Sequence, residues 1–525
     1  MNTARTPWSQ IVLAAAAVMA LTACTTPPGQ APAPPALQPL AAAELPPPEP
    51  REFRAAWVAT VANIDWPSRP ALSAQAQRAE ALVMLDRARQ IGLNALILQV
   101  RPSADAIYPS ALEPWTEYLS GEQGRGPWLE GEAPWDPLAF WVAQAHQRGI
   151  ELHVWLNPYR ARQQSAKSPL SAQHLSVRRP ELVKRYGEQL WMDPGEPAAA
   201  AQTLAVVADV LRRYEVDGVH IDDYFYPYPV TPPGAAAGAG EVPFPDDPSF
   251  ARYVAGGGTL ARDDWRRANV NNLVQALYQT VLRERPGARL GVSPFGLGRP
   301  DMRPPGITGF SQYDKLYADV ELWFAQGWMD YLAPQLYWPI DRVGQQFPVL
   351  LDYWLAQNTA QRHVWPGLYT SLVSRDGTIG PRAWAAREIS DQVAVQRSRP
   401  AASGHIHFSM VALMQDRGGV ATQLMAGAYA VPALVPPTPW RSSTPQPPPP
   451  GAPALKLAAG QAMLEPAAGS NVAQWALWRR SAGQWRFSVQ PVSERAVATA
   501  GADALVVSAV DRWGRLSPRV STRLP

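Results

Sequence analysis

Two adjacent carboxylates, Asp222 and Asp223, close the apolar run of the stretch DGVHIDDYFYPYP (residues 217–229) and are followed by four aromatic rings and two prolines. Paired carboxyls beside aromatic faces fit glycoside hydrolysis. One protonates the departing oxygen while the other attacks the anomeric carbon or activates water, and their separation sets whether configuration is retained or inverted. Rings suit the apolar face of a pyranose, and Gln, Asn and Arg side chains satisfy its hydroxyls. Side chains alternate along a strand, so Gly218, His220 and Asp222 share one face while Val219, Ile221 and Asp223 share the other. Alternation therefore aims Asp222 into a site and leaves Asp223 at the turn.

Something must hold those carboxylates. Eight apolar runs recur at residues 53–60, 94–100, 151–157, 217–222, 289–294, 330–337, 363–369 and 404–410. Helix-like stretches separate them, among them 73–92, 136–149, 201–214 and 263–284; several begin at a Ser or Asp suited to cap a helix, and the first two end at Gly. Eight strands alternating with helices predict an α/β fold, a (β/α)8 TIM barrel with long βα loops over residues 51–430. Its active face lies at the C-terminal ends of the strands.

Those ends carry the residues suited to a sugar: Trp57, Gln99, Arg101, Asn157, Tyr159, Arg160, His220, Tyr224, Gln335, Tyr337 and Trp338, with Ser293, Tyr369 and His407 also at strand ends. Tyr224, Tyr226 and Tyr228, in a proline-rich loop, are expected to form a wall facing the sugar, whereas Trp155 in mid-strand reads as core. Asp105, in RPSADAIYPS after the second run, is the first candidate for a further acid, and Glu113 lies later in that loop. Arg101 would neutralise Asp222 or Asp105. Glu321 falls in a helical pattern and reads as a solvated residue, while Asp217 and Asp330 precede strands and read as capping or turn residues. His405 and His407 share a strand face without a further cluster of ligands, so no metal and no cofactor is expected.

The remaining composition bounds the setting. A chain of 525 residues with net charge +3 and no basic block gives no sign of nucleic-acid binding. Its single cysteine, Cys24, precludes an internal disulfide. Arg5, an apolar run from Ile11 to Leu21 and then LTAC predict a signal peptide over 1–23. LTAC resembles the lipobox of bacterial lipoproteins, which implies lipidation of Cys24 and a membrane anchor of several acyl chains. Residues 24–50 read as an extended Pro/Ala-rich tether and 431–453 as a Pro-rich linker. Residues 454–525 alternate as the strands of a small all-β sandwich do, and SAVDRWGRLSP looks like the end of a fibronectin type III domain.

Six motifs in order, REFRAAWVATVANIDWPS, NALILQVRPSADAIYPSALEPWTEYLSG, WDPLAFWVAQAHQRGIELHVWLNPYRA, DGVHIDDYFYPYP, GVSPFG and GWMDYLAPQLYW, resemble glycosyl hydrolase-like family 10, bacterial (β/α)8 proteins. The resemblance spans about residues 51–430. It implies an outer-membrane lipoprotein facing the periplasm, acting on peptidoglycan glycan strands stripped of stem peptides, with cell-division or envelope proteins as possible partners. It also implies Asp222, Asp223 and Asp105 as site residues, without assigning acid, nucleophile or base. Family 18 chitinases carry DGxDxDxE at the fourth strand; here the glutamate position is Tyr224, so an acid of that type is absent. An N-acetyl sugar assisting its own cleavage, with Asp222 orienting its amide, stays open. The competing readings are a lipoprotein that binds glycan without cutting it and a scaffold for division proteins.

Overall fold

The structure is a computed structural model that describes residues 37–524 apart from 233, 235–239, 381, 442–446 and 459. The expected signal peptide and the lipidation site Cys24 lie outside the described residues. Nine parallel strand segments form one curled sheet: β1 (Phe53–Val58), β2 (Ala95–Arg101), β3 (Glu151–Leu156), β4 (Gly218–Ile221), β5 (Arg289–Val292), β6 (Tyr331–Leu332), β7 (His363–Val364), β8 (Gly367–Leu368) and β9 (Gly404–His407). Their order is β7-β6-β5-β4-β3-β2-β1-β9-β8. The two edge segments, β7 and β8, belong to one stretch of chain interrupted at Trp365 and Pro366; β7 pairs with β6 and β8 with β9. The result is an α/β fold with a mostly closed parallel sheet. Pro334 and Pro366 lack the N–H a ladder needs, which accounts for the short sixth strand and the split seventh.

Helices wrap the sheet where the 3.6-residue pattern predicts them. In α1 (Ala74–Ile91), Ser73 accepts from the Ala76 amide and Gly92 stops the helix at φ 93°. Asp136 caps α2 (Pro137–Gln147) in the same way. The third helix, α3 (Pro197–Arg213), starts four residues before the expected 201, because Pro197 opens it and a run of alanines continues it. The fourth, α4 (Arg262–Glu284), matches its pattern to within one residue. Among the described residues no helix is long and apolar enough to cross a membrane.

Inside the sheet, Phe53, Ala55 and Trp57 of β1 meet Ala95, Ile97, Trp155, Tyr331, Trp365 and Ile406 in one buried cluster. The interior is filled, and part of its filling is polar. Gly291 leaves the space that the Tyr331 ring occupies, and its Cβ would overlap that ring. The Tyr331 hydroxyl then bridges His153 (2.9 Å) and His220 (3.0 Å).

The chain continues into two antiparallel sheets. One is three-stranded, β10 (Ala454–Ala458), β11 (Gln461–Glu465) and β14 (Ala496–Ala498) in that order. The other has the order β13-β12-β15-β16, from Gln484–Pro491, Gln474–Ser481, Ala504–Val510 and Val520–Arg523. This module meets the N-terminal ends of the parallel strands: Arg512 reaches His146 and Asp217, and the Gln474 amide donates to the Gly149 carbonyl.

Neither proline-rich segment runs free where it is described. Leu434 exchanges backbone hydrogen bonds with Pro50 and Glu52, and Arg441 inserts against Asp330, with 2% of its surface exposed. In the tether, Leu40 packs in the module's core with Trp478 and Val506, while Gln38 pairs with Thr522 and Arg523. Leucines 37, 40 and 45 supply the apolar side chains that a solvated linker would lack. The strand ends opposite the site are correspondingly rich in charge, because they dock these segments.

Candidate active site

Six side chains at or just past the C-terminal ends of strands lie at this rim: Gln99, Asn157, Asp222, Ser293, Gln335 and Phe408. A thread of amides ties the first three together. Gln99 Oε1 accepts from the backbone amides of Thr60 (3.1 Å) and Val61 (2.9 Å). Its Nε2 donates to Asn157 Oδ1 at 2.7 Å, and Asn157 Nδ2 donates to Asp222 Oδ2. The Trp155 indole donates to that same oxygen from 3.0 Å. Beneath lies a second layer, in which the neutral His220 ring accepts from Trp57 Nε1 (3.1 Å), contacts Ser293 Oγ (2.9 Å) and rests on Tyr331. Burial holds this imidazole far below its ordinary pKa.

Asp223 follows where the strand breaks off, and its carboxylate accepts from the Tyr228 hydroxyl. Gln335 Nε2 donates to Ser293 O at 2.9 Å, and the same side chain hydrogen-bonds Asp223. Gly296 permits this approach, since a Cβ there would collide with the Gln335 carbonyl and the Trp338 ring. The small antiparallel sheet of Arg160–Arg162, Val183–Tyr186 and Gln189–Met192, inserted after β3, holds the Arg160 guanidinium 4.3 Å from the Tyr224 ring centroid.

Both carboxyls are buried, Asp222 at 4% and Asp223 at 3% exposure. Desolvation is the largest influence on Asp222; Arg160 opposes it, the Asp223 charge reinforces it, and the result is a carboxyl raised to about 7. Burial also raises Asp223, against the Tyr228 hydrogen bond, Gln335 and Arg160. The Asp223 charge makes ionisation of Asp222 harder, so the pair retains a proton near neutral pH. A carboxyl that stays protonated there is chemically a general acid.

Half-exposed rings form an arc beside the pair. Tyr224 meets Tyr228 edge-on at 5.8 Å, Tyr228 stacks on Phe310 at 5.1 Å, and Phe295 links Phe310 (5.1 Å) to Trp338 (5.7 Å). Tyr337 continues the wall with Tyr369 at 4.7 Å and Phe408 at 5.8 Å. Phe295, Phe310 and Phe408 were not among the residues singled out from sequence. Phe295 and Phe408 had a signal, a ring just past a strand end, whereas Phe310 comes from an insertion without periodicity.

Several residues expected to touch sugar lie below the surface instead. Arg101 has no exposed surface and is consumed by Glu113 (2.6 and 2.8 Å) and the Asn157 carbonyl (2.6 Å). Tyr159 is enclosed in the helix-side core, while Gln99, His220 and Trp57 support the layer above them. Tyr226 packs against Phe244 and Tyr317 at 1% exposure rather than joining Tyr224 and Tyr228 in the wall. Trp155 is core, as expected, and also a donor to Asp222. His407 points to the helices, where Tyr429 holds it together with His405, and Phe408 takes the inward position.

The other acids separate clearly. Asp105 is buried and accepts from the Ser103 amide (2.9 Å) and Gln123 (3.3 Å); burial raises it to about 6. Neither Asp222 nor Asp223 is among its hydrogen-bond partners. Glu321 is not solvated: it is 6% exposed and accepts from the Arg299 amide and the Tyr353 hydroxyl. Asp217 accepts from the Leu152 amide (2.8 Å) and meets His146 (2.8 Å), at the module seam.

The family described as Glycosyl hydrolase-like 10 matches residues 52–394. The chain is 38% identical over 400 residues to Glycosyl hydrolase YngK of Bacillus subtilis (strain 168), covering 75% of each chain. It is 34% identical over 321 residues to Glycosyl hydrolase DigH of Escherichia coli (strain K12), covering 58% of this chain and 69% of that one. The solved glycoside hydrolase domain of PgaB (BpsB) from Bordetella bronchiseptica is similar at a TM-score of 0.46 and 13% identity, over 71% of this chain and 98% of that chain. On the extent of the family match and the identity to YngK, the chain belongs to Glycosyl hydrolase-like 10 and is a glycoside hydrolase acting on O-glycosyl bonds of a carbohydrate.

Proposed function

We propose that this hydrolase cuts peptide-free glycan strands of peptidoglycan at the outer membrane, facing the periplasm, where lipid on Cys24 anchors it. The observation that carries the catalytic part is the buried Asp222–Asp223 pair, raised in pKa and opening onto the ring arc. In this reading Asp222 donates its proton to the glycosidic oxygen as the bond to the anomeric carbon breaks. Asp223 faces the positive charge that develops on the sugar ring. Water then supplies hydroxide to that carbon, and its proton restores the acid–base pair. Asp105 is the reserve acid outside the pair. The rings Tyr224, Tyr337 and Trp338 hold pyranose faces, Gln335 and Arg160 serve hydroxyls, and Asn157 orients Asp222.

Two architectural readings accompany this one. The pairing of residues 363–364 with β6 and of 367–368 with β9 supports a closed (β/α)8 barrel. The three-plus-four strand order of the C-terminal sheets supports a fibronectin type III-like module. The envelope setting rests on the LTAC sequence and on the family resemblance.

The test is release of reducing ends from peptide-free strands by the purified protein. Asp222→Asn should lower kcat by about 10²- to 10⁴-fold while sugar binding persists. Undiminished cleavage by that variant sinks the assignment. Cys24→Ser should keep activity in solution and lose membrane retention; a substituted protein that stayed with membranes would refute the anchor.

A further inference from the structure

Beyond Trp338 the loops that follow β6 and β8 diverge and leave a groove of about 830 Å³. It begins at Tyr337 and Trp338, which also stand in the ring arc beside the carboxyl pair, so groove and candidate site are continuous. Trp384 lines it at 5% exposure and meets Tyr369 edge-on at 6.3 Å. One aliphatic side chain on each loop is turned out to solvent, Val343 at 86% exposure and Ile379 at 62%. Val343 is the most exposed large apolar residue among the described residues. Apolar side chains left open around a polar-rimmed groove mark a contact surface.

The charges along the groove are not all spent on each other. Arg387 pairs with Asp391 at 3.1 Å. Glu388 accepts from the Ile340 amide (2.9 Å) and Gln392 (2.8 Å). Arg342 on one loop and Arg382 on the other form no ion pair among the described residues; of the lining acids Asp341 and Glu388 form none either, Glu388 being held by neutral amides. Two guanidiniums, one from each side, thus line the groove without an ion-pair partner among the described residues.

We propose that this groove binds the continuation of the glycan chain held at the carboxyl pair, and that Arg342 and Arg382 receive the carboxylate of an acidic sugar in it. This rests on the peptidoglycan reading. In a peptide-free strand every second sugar carries a lactyl ether ending in a free carboxylate, whereas a stem peptide converts that group into a neutral amide and adds bulk. The groove therefore supplies the selectivity for stripped strands: guanidinium meets carboxylate where an amide offers no charge.

The experiment compares kcat/KM of the full protein on peptide-free strands and on the same strands after their lactyl carboxylates have been coupled to methylamine. The wild type should prefer the charged strands by about fivefold, and raising the salt concentration should erode that preference. Arg342→Ala/Arg382→Ala should bring the two substrates within about twofold of one another, through a higher KM on the charged strands. Equal cleavage of both strands by the wild type overturns the groove proposal and leaves the substrate reading standing. Full preference retained in the double variant removes the role of these arginines. Cleavage of neither strand by the wild type defeats the substrate reading, and this proposal with it.

Discussion

Asn157 divides its amide between two partners, accepting from Gln99 at 2.7 Å and donating to Asp222, so that the orientation of Asp222 is set from the backbone of the loop after β1. Asn157 is wholly buried and has no rotational freedom to spare. Asn157→Ala should therefore act on turnover rather than on affinity. The expected result is a fall in kcat of about 10- to 100-fold, the cost of a reacting group displaced by a fraction of its length, with KM within about threefold. Steady-state kinetics on peptide-free strands decides it: a KM effect with kcat intact would mean that Asn157 holds sugar instead.

The carboxyl pair also makes stability depend on pH in a definite direction. Asp222 is raised in the folded state from 3.8 to about 7. Its contribution is complete below the unfolded value and is lost as pH rises through the folded one, because above that point the native state must bury a charge. Asp222→Asn cannot ionise. Relative to wild type it should be little changed at pH 4 and more stable at pH 8, by an amount on the order of 1–3 kcal/mol. Denaturant melts at both pH values measure the difference, and Asp65 and Asp105, each raised to about 6 by burial and present in both proteins, drop out of it. A gap that failed to widen toward pH 8 would show that folding does not raise Asp222 above its ordinary value.

Arg160 opposes that rise, since its guanidinium favours the charged forms of both Asp222 and Asp223. Arg160→Met removes the charge while the rest of the small sheet around residues 160–162 is kept. The limb of the pH–activity profile on which the acid loses its proton should move to higher pH. Loss of the Arg160 stacking on Tyr224 should also lower kcat/KM by about three- to tenfold. An unmoved limb would leave Arg160 with sugar binding alone.

Strand order and helix placement were legible because alternation of apolar runs and helical periods is local, and Ser73 and Asp136 cap the helices that their positions imply. Alternation also reached the site: Asp222 shares the inward face with His220, and the structure has both there. What stayed hidden depends on partners distant in sequence. Arg101 looked like a sugar ligand until Glu113 occupied it, and Glu321 looked solvated until Tyr353 covered it. Tyr226 differs from Tyr224 and Tyr228 only in the insertion segments that close over it, Phe244 and Tyr317. One-residue alternation likewise separates His407, turned to the helices, from Phe408 at the rim.

The end of the parallel sheet opposite the site offers a stability test free of catalysis. Asp330 has no exposed surface; it accepts from the Leu290 amide at 2.7 Å and from Trp440 at 2.9 Å, and Arg441 grips it through Nε at 2.8 Å. Arg441 belongs to the segment expected to be a Pro-rich linker, and its guanidinium also reaches the carbonyls of Pro286 (2.7 Å) and Ala288 (2.6 Å). Arg441→Met would leave the Asp330 charge buried without its cation, a loss of about 3–5 kcal/mol. Asp330→Asn/Arg441→Met removes both charges and should recover part of that loss, so the two substitutions are expected to be strongly non-additive. Thermal melts and a double-mutant cycle measure the coupling. Activity at 25 °C should match wild type in the double variant, because this contact lies at the far end of the strands from Asp222 and Asp223. Additive destabilisation would mean that the Arg441–Asp330 ion pair does not fasten this segment to the parallel sheet.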